Sequence, residues 1–461
     1  MNKQMVRSVI WGAVITVTLG FSKAHAFCGF YVAKADASLF NEASQVAVVR
    51  NENKTVISMM NDFQGDLKEF ALVVPVPQVL EKSQIHIGDK AVFERIDAYT
   101  APRLVEYFDE NPCQPQRMYM MKGRASGAPM AAQEMGAPQS DASLGVKVEA
   151  KYTVGEYDIA ILSAKQSDGL ETYLNQNGYK LPKGASQALQ PYIKQDMKFF
   201  VAKVNVKEQS KTGLKFLRPL QFAFESEKFM LPVRLGMLNS KGEQDLIIYM
   251  LTKNGRVETT NYRTTRLPTG MDIPVHVKAD FANFYKSMFT EQAKKENLKA
   301  VFTEYFWDMG WCDPCAADPL TNGELRGLGV FWLDENNDSN PGNPKIMRGR
   351  IMPPQPQGGP IPVKVTRLHL RYTKATLPED LMFQETKDQE NFQARYVLRH
   401  PWKGSENSCT EAKEYFRGLK KRQEAEAQVL ATLTGWNIND IRKKMSIAEP
   451  PKDQKWWNNI W

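Results

Sequence analysis

QVAVVRNENKTVISMM, residues 45–60, decides how this chain is built. Two runs rich in β-branched and apolar residues flank the polar turn Asn51 to Lys54, which is the pattern of a β-hairpin. EFALVVPVPQV (69–79) follows as a third strand. Pro75 and Pro77 mark it as a sheet edge or a strand end, because proline has no N–H to give to a ladder. AVFERIDAYTAPRLVEYFDENPC (91–113) carries helical spacing in pieces, interrupted at Pro102.

Working outward, GRASGAPMAAQEMGAPQSDASLG (123–145) is small, Gly- and Pro-bearing and without apolar period, so it reads as a flexible linker or loop. YDIAILSA (157–164) is a strand. SDGLETYLNQNGYKLP (167–182) is a helix: Asp168 and Glu171 suit a capping box, Leu170, Tyr173 and Leu174 share a face, and Gly178 and Pro182 end it. A short helix near Ser186–Gln195 leads to the strand MKFFVAKVNV (197–206), then to the strand-like runs LKFLRPLQFAF (214–224), KFMLPVRLGML (228–238) and DLIIYMLTKNGRVETTNY (245–262). The pattern predicts an α+β fold with a β-rich N-terminal body and an antiparallel sheet.

From residue 280 the pattern changes. DFANFYKSMFTEQAKKEN (280–297) is an amphipathic helix, LKAVFTEYFW (298–307) and LGVFWLDEN (328–336) are strands, and PVKVTRLHLRY (362–372) and NFQARYVLRH (391–400) read as a paired ribbon. In the tail, Ser408 caps a helix with Glu411. Its apolar face is Tyr415, Phe416, Leu419, Val429, Leu430 and Leu433, Gly435 breaks it, and a short helix follows over Asn439–Met445. The expected organisation is 1–26 signal peptide, 27–122 β-rich segment, 123–145 linker and 146–279 an α+β body continuing the first sheet. A smaller mixed α/β region over 280–405 holds a CxxC pair, and 406–461 is a helical region with an aromatic tail. No repeat with the period of a solenoid is present.

The first residues set the compartment. Lys3 and Arg7, the apolar run Val9–Phe21 and the small residues of Ala24-His25-Ala26 have the form of a secretory signal cleaved near Ala26. Phe27 before Cys28 does not suit a lipoprotein site. The mature chain is expected to be exported, periplasmic or extracellular, with no second apolar segment of spanning length. Net charge falls from +8 to +5 when Lys3, Arg7 and Lys23 leave, a mild balance that does not call for nucleic acid.

Several stretches together resemble one bacterial exported family. They are Cys28-Gly29, LVVPVP (72–77), YTAPRLVEYF (99–108), NGYKLP (177–182), WCDPCAADPL (311–320), TRLHLRY (366–372), PEDLMFQET (378–386), RYVLRHPW (395–402) and LTGW (433–436). They are similar to the family described as domain of unknown function 2330. The resemblance implies an exported bacterial protein and no particular activity, so it assigns no catalytic residue.

Five cysteines, at 28, 113, 312, 315 and 409, are disulfide candidates in an oxidising compartment. Cys28 and Cys113 are the expected pair, because both fall in one stretch of compact structure. Three readings compete for Cys312 and Cys315. Trp311-Cys312-Asp313-Pro314-Cys315 resembles the thioredoxin-type motif, which would make Cys312 the nucleophile and Cys315 the resolving thiol, with Pro353 or Pro354 as a later proline. Against it, Asp313 disfavours a thiolate, and Pro319, Gly323 and Gly327 are poor material for the helix such a motif opens. Zinc would need Cys409 and either His369 or His400 to complete the set. The third reading is a structural bridge, local or to Cys409.

Other features carry weaker signals. Asp334, Asn336, Asp338 and Asn340 alternate as oxygen ligands of calcium do, but Ser339 and Lys345 stand where an EF-hand loop needs Gly and Glu. Arg367, His369 and Arg371 would share a strand face that either binds an anion or is simply solvated. Trp456, Trp457 and Trp461 either dock onto the body or touch a membrane interface. No nucleophile elbow, zinc-protease helix or phosphate loop is present, and no cofactor is expected. These signals predict a non-enzymatic envelope protein stabilised by disulfides, one that binds another envelope protein or surface component or stabilises a surface assembly. The alternative is a thiol–disulfide oxidoreductase using Cys312 and Cys315.

Overall fold

The hairpin read at 45–60 seeds the main sheet. β2 (Ala43–Asn51) and β3 (Lys54–Asn61) pair antiparallel across a tight turn in which Glu52 takes φ 56°. The computed structural model describes residues 30–34, 43–61, 70–114, 147–165, 167–176, 179–180, 184–212, 217–239, 242–311, 318–333, 346–347, 350–351 and 361–446. The expectations for the signal peptide, the 123–145 linker, Cys28, Cys312 and Cys315, the calcium candidates Asp334, Asn336, Asp338 and Asn340, and Trp456, Trp457 and Trp461 all lie outside these residues.

The large sheet runs in the order β15 (Arg263–Arg266), β17 (Ala300–Asp308), β20 (Lys364–Tyr372), β13 (Gln244–Thr252), β2, β3, β11 (Leu220–Glu225) and β5 (Ile85–Ile87). β22 (Phe392–Gln393) also pairs with β17. A six-stranded sheet runs β7 (Lys147–Val154), β8 (Tyr157–Ser163), β10 (Lys198–Val204), β4 (Phe70–Val76), β1 (Phe30–Lys34) and β9 (Tyr179–Lys180). Smaller sheets are β16 (Met271–Asp272), β23 (Arg395–His400) and β6 (Arg103–Phe108); β12 (Met230–Leu231), β21 (Leu381–Glu385) and β14 (Val257–Thr259); and the pair β18 (Ile346–Met347) and β19 (Arg350–Ile351). The helices are α1 (Lys90–Thr100), α2 (Ser167–Gln176), α3 (Ala185–Lys194), α4 (Val206–Thr212), α5 (Phe281–Lys295), α6 (Asn322–Gly327), α7 (Thr410–Thr434) and α8 (Ile438–Lys444). The protein is α+β with a β-rich body. Among the described residues no helix is long and apolar enough to cross a membrane.

Strand alternation sorts the core into layers. Val46, Val48, Ile57 and Met59 face Leu72, Val74, Ile161 and Phe200 of the six-stranded sheet. Ala47 and Val49 point the other way, to Phe93, Ile96 and Tyr99 of α1. Farther along that face Phe302 packs with Phe284 and Phe289 of α5 and Leu430 of α7. On the far side of the six-stranded sheet, Val73 and Phe199 cover Leu170 and Leu174 of α2 and Leu189 of α3. The inner strands of both sheets are thus buried on two faces, which is why β2, β4, β10 and β13 read as almost continuous apolar runs.

The structure corrects several expectations. The main sheet is mixed, since β13 lies parallel to β2 and β15 parallel to β17. β4 is an inner strand, and its prolines stand at its end: Pro75 is paired to β10 but lies past the β1 ladder. Residues 103–108 form a strand, because Pro102 ends α1. β20 and β23 do not pair with each other. β20 is buried along nearly its whole length and takes a central place between β13 and β17, whereas β23 joins β6 and β16. Of KFMLPVRLGML only β12 is strand, and Arg234–Asn239 is a 3₁₀ turn. Residues 328–333 are irregular, and Gly329 at φ 100° sets its backbone so close that a Cβ would lie 2.5 Å from Val56. α7 starts from Cys409, not Ser408, and no side chain caps it. Strands from the stretch after 280 enter the main sheet, where β17 and β20 sit beside β13.

Candidate functional site

The sequence TRLHLRY becomes the middle of β20. Alternation places Thr366, Leu368 and Leu370 on the face toward the six-stranded sheet, and Arg367, His369 and Arg371 on the face beneath α1 and α5. The neighbouring strand β17 is irregular here: its register with β20 shifts between Thr303 and Tyr305. Glu304 is the extra residue of this bulge, and it shares the face of Phe302, which pairs with His369, so its carboxylate meets the same basic row.

Glu304 is fully buried and accepts from both bases. Arg367 Nε lies 2.6 Å from Oε2 and His369 Nδ1 2.8 Å from Oε1, while the Tyr285 hydroxyl of α5 donates to the same Oε1. Arg367 also donates to Asp97 Oδ1 of α1 at 2.7 Å, an oxygen that takes a further 2.7 Å bond from the Tyr249 hydroxyl. Arg371 grips Asp245 of β13 with two 2.7 Å bonds and reaches Thr290 Oγ1 at 2.8 Å. The His369 ring lies flat on Phe289, with centroids 3.6 Å apart, and its Nε2 stands 3.8 Å from Asp245 Oδ1 without a hydrogen bond among the described residues.

Burial alone would push the Glu304 pKa up. The charges of His369 and Arg367, with the hydrogen bonds from His369 and Tyr285, outweigh it and bring the carboxyl to about 2. Burial, with the nearby Glu304 charge, lifts the Tyr285 phenol well above its ordinary range. Burial opposes the Arg367 charge, but Tyr249, Asp97 and Glu304 hold its pKa well above the usual value. The expected basic face therefore exists, and the anions it meets are the chain's own Glu304, Asp97 and Asp245. It is neither open nor solvated, since Arg367 is 4 % and His369 5 % exposed. Chemically this is a closed network that rivets α1, α5 and three strands together.

The cysteines are arranged differently from the expectation. Cys113 bonds Cys409, 296 residues away, with Cα atoms 5.9 Å apart, so Cys28 is not its partner. The cause is the parallel pairing of β6 with β23, which brings the two following segments out at the same end of the small sheet. This bridge removes Cys409 from any zinc set and from a link to Cys312 or Cys315. The two zinc histidines are committed as well: His369 to Glu304, and His400 Nε2 to Glu106 at 2.7 Å. His400 also stacks on the exposed Phe108.

Sequence reading missed Glu304, Asp97, Asp245 and Tyr285, since nothing in the pattern ties acids on three other elements to β20. It also missed a cleft of about 280 Å3 between the ends of the two large sheets, lined by Ile57, Pro75, Pro77, Met197, Phe224 and Met230. Lys228 Nζ donates to Gln195 Oε1 at 2.6 Å beside it.

Fold and site together define a layered α+β protein whose central charges are neutralised from within. The chain belongs to the family described as uncharacterized protein conserved in bacteria (DUF2330), whose profile matches residues 22–384. RYVLRHPW (395–402) and LTGW (433–436) lie beyond the matched residues. No curated protein and no solved structure matches the chain.

Proposed function

We propose that this is an exported, non-enzymatic protein of the bacterial envelope, which binds another envelope protein or surface component and matures where thiols oxidise. The observation that supports this reading is the Cys113–Cys409 bridge, since disulfides across long stretches of chain form and persist in oxidising compartments. The inward neutralisation of Arg367, His369 and Arg371 favours a structural role for the strongest charge cluster. Fractionation of cells producing the native chain, with N-terminal sequencing and thiol titration, tests it. The expected result is an envelope-located or secreted chain beginning at Phe27, with Cys113 and Cys409 blocked until reduction. A cytosolic, uncleaved chain with every thiol free overturns it.

The second reading, thiol–disulfide exchange at Cys312 and Cys315, is favoured by Trp311. This residue directly precedes Cys312 and is 63 % exposed, so the end of β17 is open to a protein partner. Insulin reduction that is lost in Cys312→Ser would establish this second reading over the first.

A further inference from the structure

Three carboxylates and two guanidiniums meet where α7 lies across the small sheet. Arg422 of α7 is spent on Asp109, just after β6, with bonds of 3.1 and 2.6 Å, and the Tyr415 hydroxyl adds a third at 2.6 Å. Arg399 of β23 is spent on Asp272 of β16 at 3.0 Å and lies over the Tyr107 ring. Glu426, one turn beyond Arg422, is 4 % exposed and shares that guanidinium with Asp109. Its Oε1 stands 3.4 Å from Arg422 Nε and accepts no hydrogen bond among the described residues. The charges acting on it are Arg422 of its own helix, Asp109, Asp272 and Arg399. Lys278, on the 3₁₀ turn before α5, is paired to Glu106, and α5 itself gives Phe284, Met288 and Ala293 to the core it shares with α7.

We propose that Glu426 is a proton-operated latch: neutral, it lets the middle of α7 seat on β16 and β23, and ionised, it loosens that seat while the Cys113–Cys409 bridge keeps the start of the helix attached. A buried carboxylate whose oxygen accepts no hydrogen bond is expensive to ionise, and an uncharged carboxyl is not. Burial, opposed by Arg422 but reinforced by Asp272 and Asp109, raises its pKa from 4.5 to about 7, so the change spans that interval and ends just above neutral. For an acid whose folded pKa is raised, the docked state is fully favoured below the undocked pKa, weakens as pH climbs from there to the docked value, and levels off above it.

Hydrogen exchange of the oxidised full chain, corrected for intrinsic rates, reads the latch directly. Between pH 6 and pH 8.5 the segment 415–430 is expected to lose about tenfold in protection, the equivalent of one pKa unit, while β13 and β20 keep theirs. Glu426→Gln is expected to stay protected at both values. Asp272→Asn removes a repelling charge and is expected to move the midpoint of the loss to lower pH. A wild-type segment with constant protection, a Glu426→Gln profile equal to wild type, or an unmoved midpoint in Asp272→Asn each overturns the proposal.

Discussion

Glu304 stays ionised without water because two bases and a phenol are already in place around it. Its carboxyl is held at about 2 against an ordinary 4.5. A depressed acid stabilises the fold above its unfolded pKa and loses that contribution as pH falls toward the folded one. The acid limb between pH 4.5 and 2 is therefore expected to cost about 3 kcal/mol through this one group. Urea unfolding at stepped pH checks it, and the limb should flatten in Glu304→Gln. Glu304→Ala at pH 7 leaves Arg367 and His369 buried beside a void and is expected to lose about 3–5 kcal/mol, read as a lower urea midpoint. Gly329→Ala is expected to lose about 1–3 kcal/mol in the same assay, since the added methyl meets Val56 at a positive φ. At this scale half of the network was legible. Period-two spacing put Arg367, His369 and Arg371 on one face. Their partners were hidden, because nothing in the sequence says that β17, with Glu304 on the face of Phe302, lies beside β20.

Elements were read best where a local rule decides them. The hairpin of β2 and β3, the helices α2, α3, α5 and α7, and the strands β8, β10, β13 and β17 follow from spacing and turn residues alone. Pairing was read worst, because it depends on what each strand must bury. β20 looked like half of a ribbon with β23, yet both its faces are apolar or charge-paired and only a central position covers them. The same limit hid the disulfide: Cys113 and Cys409 meet through the parallel ladder of β6 and β23, and parallel partners leave no turn in the sequence. A bridge closing so long a loop restricts the unfolded chain strongly, so reduction or Cys409→Ser is expected to lower stability by about 3–5 kcal/mol. Thermal unfolding with and without reductant measures this. Alkylation and mass mapping should show Cys113 and Cys409 becoming free in wild type as the transition shifts down. The first turns of α7, where Trp402 packs against Tyr415 and Phe416, are expected to lose exchange protection first.

The whole molecule is organised by threading, not by succession. The main sheet takes its strands from residues 43–61, 85–87, 220–225, 244–252, 263–266, 300–308, 364–372 and 392–393, and the six-stranded sheet begins before the first of these visits, at 30–34, and takes its other strands among them. Composition and alternation made the α+β class readable, because both depend on residues counted locally. The boundary placed at 280 followed a real change in pattern, from strands to an amphipathic helix, but a change of element type is not a change of domain. β13 and β20, from opposite sides of that boundary, lie in antiparallel register over nine residue pairs, and the Arg371–Asp245 pair crosses it as well. Cutting the chain there exposes the edge of β13 on one fragment and leaves β17 and β20 on the other without their six-stranded cover. Strand edges and apolar faces of that size do not persist alone in water. Fragments 27–279 and 280–461, produced separately, are therefore expected to show no cooperative thermal transition by circular dichroism and to elute as aggregates. Produced together they are expected to copurify and recover a single transition. A cooperative transition from 280–461 on its own would mean that the C-terminal half carries its own core, and that the shared sheet is an association of two domains instead of one continuous fold.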